Sequence, residues 1–207
     1  ETGLAQWAGQ DGYRSRVADD VIGCWRQGLD RDRAPSAVLN IRGAQPLPTL
    51  EADFSHVRTV SLSGARLLAE GSEALHRLLP RLQRLELYVN PMDLDAVAAR
   101  LPSLPGITEL LIQGPSLTYS SEALQAINRM AGLEQLVLGG ALQTLDVSEL
   151  TSLRRLTVSG ALGAWPRGVT ALEHLESLDL SGTRLHSVPP EMFSGHERVW
   201  RGLQMNW

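Results

Sequence analysis

Apolar and polar positions alternate in eight short stretches of this chain. Each stretch holds two apolar residues separated by one other: Leu39/Ile41, Val60/Leu62, Leu85/Leu87, Leu110/Ile112, Leu136/Leu138, Leu156/Val158, Leu178/Leu180 and Leu203/Met205. A period of two places both apolar positions on one face of a strand, so eight short strands are predicted. The units begin at Ser36, Val57, Leu82, Ile107, Leu133, Leu153, Leu175 and Trp200, with spacings of 21, 25, 25, 26, 20, 22 and 25 residues. Between strands the period changes to that of a helix. Leu75, Leu78, Leu79 and Leu82 mark one helix over 72–82, and Leu94, Val97, Leu101 and Leu104 a second over 94–104. Ser121 and Glu122 open a third, carrying Leu124, Ile127 and Met130. The units of 20 and 22 residues are too short for a full helix and are expected to return in extended or 3-10 geometry.

Leu175–Leu185 reads LxxLxLxxxxL, the core of a leucine-rich repeat, and the same frame recurs in all eight units. The expected fold class is α/β: a leucine-rich-repeat solenoid, with a curved parallel sheet on the concave face and a mixed helical and extended convex face. No unit can bury its apolar edge alone, so stacking supplies the core. The asparagine that usually closes the strand-to-loop turn occurs only at Asn90; Ala44, Ala65, Pro115, Ala141, Ala161 and Thr183 replace it elsewhere. Glycine precedes six of these positions, at Gly43, Gly64, Gly114, Gly140, Gly160 and Gly182. The backbone is then expected to satisfy the turns by itself.

Ahead of the repeats, Tyr13, Val17, Val21, Trp25 and Leu29 recur at helical spacing, with Ile22 beside them and Gly28 and Pro35 as stops. A helical cap over residues 1–35 and a solenoid over 36–207 are the expected division. The chain starts without methionine and ends at Trp207 directly after the eighth strand, so more protein is expected beyond it.

Composition adds exclusions. There are 36 leucines among 207 residues, which suits a repeat. A net charge of −4 gives a nucleic-acid partner no electrostatic basis. One cysteine precludes an internal disulfide framework, and no apolar run is long enough for a bilayer. Cys24 reads as a buried structural thiol, and His56, His76, His174, His186 and His196 lack the spacing of metal ligands. Neither catalysis nor a metal or other cofactor is expected of these residues. All 19 basic residues are arginine. A GC-rich genome accounts for that, while a surface without lysine also offers ubiquitin-transfer enzymes no side-chain amine.

The outward strand positions form three rows, and the candidate binding face is read from them. The central row runs Asn40, Ser61, Glu86, Leu111, Val137, Thr157, Asp179 and Gln204. Arg84, Glu109 and Arg155 fall in one flanking row and Tyr88 in the other, which ends at Asn206. Tyr88, Leu111 and Val137 beside Arg84, Glu86 and Glu109 make an apolar centre with a charged rim, as in protein-binding hot spots. A second reading also stands: Arg84 and Glu109 pair with each other, and the apolar residues are incidental.

Residues 13–26 (YRSRVADDVIGCWR) with Val38–Gly43, and residues 189–203 (PPEMFSGHERVWRGL), resemble the leucine-rich-repeat effectors that bacterial pathogens inject by type III secretion, the second stretch those of plant pathogens. The resemblance implies a secreted virulence protein acting in the host cytoplasm. Its repeats would recognise a host protein as substrate receptor for an E3 ubiquitin ligase domain of the same chain. A monomer with no nucleic-acid or membrane partner is expected. No ligase cysteine motif matches, because Cys24 is followed by Trp25 and Arg26. The alternative is the ligand-recognition repeat domain of a receptor, or a bacterial repeat protein with no ubiquitin link; a receptor would be expected to carry cysteine caps and glycan sequons.

Overall fold

Strand formation follows from the alternation. A computed structural model describes residues 1–29, 38–42, 48–64, 72–190 and 204–206. It contains eight strands: β1 (Val38–Arg42), β2 (Thr59–Ser63), β3 (Arg84–Tyr88), β4 (Glu109–Gln113), β5 (Gln135–Gly139), β6 (Arg155–Ser159), β7 (Ser177–Asp179) and β8 (Gln204–Asn206). All pair in parallel, and their order in the sheet is their order in the chain, so the fold is α/β with an open parallel sheet. The inward positions are sealed from solvent: Leu39, Val60, Leu85, Leu110, Leu136, Leu156 and Leu178 are at most 1% exposed. Each such side chain contributes roughly 1.5–3 kcal/mol of burial.

Parallel strands need crossovers, and unit length selects their form. The units that begin at Val57, Leu82 and Ile107, of 25, 25 and 26 residues, return through helices: α3 (Ser72–Leu78), α4 (Leu94–Arg100, continued by a 3-10 turn over Leu101–Ser103) and α5 (Ser121–Asn128). A helix advances only about 1.5 Å per residue, against about 3.3 Å for extended chain, so a shorter unit must stretch to cover the same return. The 20-residue unit accordingly returns without a helix, through isolated bridges Leu142↔Leu162 and Asp146↔Arg167 to the next unit. The 22-residue unit uses a 3-10 turn at Val169–Ala171. Ser120 caps α5 by accepting the Ala123 N–H at 3.0 Å, and donates to Asp95 of α4 at 2.6 Å.

The turns close backbone to backbone. The N–H of Val89 donates to Gln113, that of Gly140 to Ser159, and that of Leu142 to Ala161. Thr183, at one asparagine-equivalent position, is buried and donates its hydroxyl to the Leu180 carbonyl at 2.6 Å. Gly43, Ala44 and Ala65 lie outside the described residues, as do Pro35, His196, Trp200, Gly202, Leu203 and Trp207.

The amino-terminal segment departs from expectation in one way. It holds two helices, α1 (Thr2–Ala8) and α2 (Gly12–Leu29). Leu4 and Ala8 of α1 are buried in the core, and Glu1 pairs with Arg26 of α2 at 2.8 Å. Asp11 starts α2 by accepting the N–H groups of Tyr13 (2.8 Å) and Arg14 (3.3 Å). Gly28 stands at the carboxyl-terminal end of α2, one residue before Leu29. It lies within α2, where a Cβ would stand 2.4 Å from the His56 ring.

The eighth strand is also corrected. Leu178 pairs with Met205, not Leu203, so Asn206 and not Gln204 continues the central row. A slip of two residues keeps every side chain on its face, so alternation cannot detect it.

Candidate protein-binding face

The outward face is set by register. Arg84 pairs with Glu109, Glu86 with Leu111, Leu111 with Val137, and Tyr88 with Gln113. These residues share one face because they occupy alternate positions on neighbouring strands. Directly opposed side chains stand about 5 Å apart, close enough to interact.

Arg84 joins the polar part. Its Nε donates to Oε1 of Glu86 at 2.8 Å, and its Nη1 to Oε2 of Glu109 at 2.5 Å. The three side chains are 36%, 22% and 39% exposed. The carboxylates, Glu86 foremost, hold the guanidinium above its ordinary pKa. At such exposure an ion pair adds at most about 1 kcal/mol to stability. The larger effect is geometric: one arginine holds two carboxylates in place on adjacent strands.

Beside this network the half-buried Leu111 and Val137 form an apolar floor, with a dent of about 10 Å³ between Arg84, Glu109, Leu110, Leu111, Gln135 and Val137. That is room for about one water, not for a small-molecule ligand. Tyr88 stands at the end of β3 and is 44% exposed. Its backbone is fixed because its carbonyl accepts the Gly64 N–H at 3.1 Å.

The Arg84–Glu109 pairing therefore exists, and Glu86 shares it. The structure brings Arg84, Glu86, Tyr88, Glu109, Leu111 and Val137 together. Arg155 is on the same face but two strands from Glu109, about 10 Å away at the usual strand spacing. Asp179 lies three strands from Leu111 and accepts the Ser181 N–H at 3.0 Å, which gives it a role in its own turn.

Sequence reading missed Met92. It is 94% exposed in the turn after β3, four residues beyond Tyr88. A large apolar side chain outside every strand row, in the one turn that carries asparagine, was the available signal. Elsewhere, a cleft of about 450 Å³ separates the two amino-terminal helices from residues 49–54, with Leu4, Val21, Ile22, Trp25, Leu50 and Phe54 among its walls.

Cys24 is buried, and burial pushes its thiol from 9.0 up to about 11. Among the described residues no helix is long and apolar enough to cross a membrane. No protein family and no curated protein matches the chain.

Proposed function

We propose that the stacked units form a leucine-rich-repeat solenoid whose sheet face recognises a protein. In this reading it is the substrate receptor of a secreted bacterial effector, and ubiquitin-ligase chemistry is supplied by a separate domain. The carrying observation is the grouping of Tyr88, Leu111 and Val137 around the Arg84 network, on a sheet face otherwise lined mostly with polar residues. Large stiff side chains give a partner area to bury at little entropic cost, which is how hot spots arise. The effector assignment rests on the resemblance of residues 13–26, 38–43 and 189–203. The absence of lysine supports it, since a receptor held beside a ligase would then present no side-chain amine of its own.

The test is capture from plant-cell lysate, followed by calorimetry with the purified partner. Tyr88→Ala is expected to weaken binding roughly tenfold or more, about 1.4 kcal/mol, with an unchanged circular dichroism spectrum. Ser63→Ala and Ser181→Ala, in polar surroundings, should bind like the parent. Parent-like affinity for Tyr88→Ala would remove the sheet face as the binding surface. Adding the full-length protein to ubiquitin-activating and -conjugating enzymes should modify the captured partner.

A further inference from the structure

Charge at the centre of the face is unbalanced. The charged same-face neighbours of Leu111 on β3, β4 and β5 are Arg84, Glu86 and Glu109, two carboxylates sharing one guanidinium. Arg84 engages Oε1 of Glu86 and Oε2 of Glu109. The second oxygen of each carboxylate has no hydrogen-bond partner among the described residues. Water serves those oxygens while the face is bare, and a covering partner must replace it. An acidic group there would meet like charge, and an apolar one would leave two half-buried acceptors unmade. A cation satisfies both.

Arginine fits better than lysine. Its planar fork can reach acceptors on two adjacent strands, its stem covers apolar surface such as Leu111 and Val137, and its flat head can stack on an aromatic ring. Tyr88, two residues along β3 from Glu86, supplies that ring on the same face.

We propose that the partner seats a basic side chain, arginine above all, over Leu111 between Glu86 and Glu109, beside the ring of Tyr88. This rests on the reading of the sheet face as the binding surface.

The test is to pan a displayed library of random heptapeptides on the folded chain and titrate the enriched peptides, as synthetic probes, against variants. Enriched sequences should hold arginine or lysine next to an apolar residue, and their binding should weaken with added salt. Glu86→Gln and Glu109→Gln should each cost roughly tenfold in affinity. Arg84→Gln should strengthen binding, because it frees both carboxylates for the peptide; a plain contact role for Arg84 predicts the reverse. Thermal melts confirm that each variant is folded. Binders without a basic residue that tolerate both glutamate changes but fail with Tyr88→Ala would overturn the basic partner and keep the face. Binders indifferent to all four substitutions, or no enrichment, would overturn both.

Discussion

A β-carbon on Gly160 would stand 2.2 Å from the carbonyl oxygen of Gly140. The two glycines occupy the same position in successive units and take φ of 129° and 132°. A β-carbon on Gly140 would in turn stand 2.8 Å from the Leu117 carbonyl oxygen. The turns on this edge nest backbone against backbone, so side chains are excluded by both space and dihedral.

Gly160→Ala should therefore destabilise by at least about 2 kcal/mol. Gly23→Ala should do the opposite. That glycine lies inside α2, and an added methyl there would have no neighbouring atom within 4 Å. Helix propensity alone acts, and the gain is about 0.5–1 kcal/mol. Urea denaturation of the two variants measures both, and equal effects would refute the nested turns.

Leu110 and Leu136 are paired across β4 and β5 and are almost wholly buried. Each replaced by alanine should cost about 2–5 kcal/mol in the same denaturation experiment. A cost under about 0.5 kcal/mol would put the side chain at the surface and break the register.

Cys24 should be inert to thiol reagents in the folded protein at neutral pH, and should react once the chain unfolds. Its folded-state pKa is raised, so the folded protein keeps the proton that the unfolded chain gives up. This contribution to stability is whole below pH 9 and declines as pH rises from 9.0 towards about 11. Labelling followed by mass spectrometry reads the reactivity, and alkaline melts read the decline. Rapid labelling of the native state would show that α2 does not hold its thiol against the core.

Deleting residues 1–35 should abolish a single cooperative melt. Val21 and Cys24 of α2 are buried in the core, and Leu39 and Ile41 of the edge strand β1 depend on that cover. The contact at Gly28 is close as well: the His56 ring reaches the Cys24 carbonyl at 3.0 Å. A truncated protein that melts like the parent would leave the two helices without a capping role.

The inward ladder was legible because a strand's period is two and leucine marks it. The slip at β8 was not, since two registers two residues apart keep the same alternation. α1 offered Leu4, Trp7 and Ala8 at helical spacing, but seven residues is too short a run to stand out. The rows of the outward sheet face followed from the strand positions as soon as the register was fixed. How Arg84 divides itself between Glu86 and Glu109 did not, because that depends on rotamers, which no alternation encodes.

Because strand order equals chain order, each strand holds only to strands adjacent in sequence. A force pulling the two ends apart would peel the sheet one strand at a time. Units of 20–26 residues would then release about 70–90 Å of chain per step, a staircase in place of a single rupture. Mechanically, such a protein is an extensible tether, and its length reports how many units have let go.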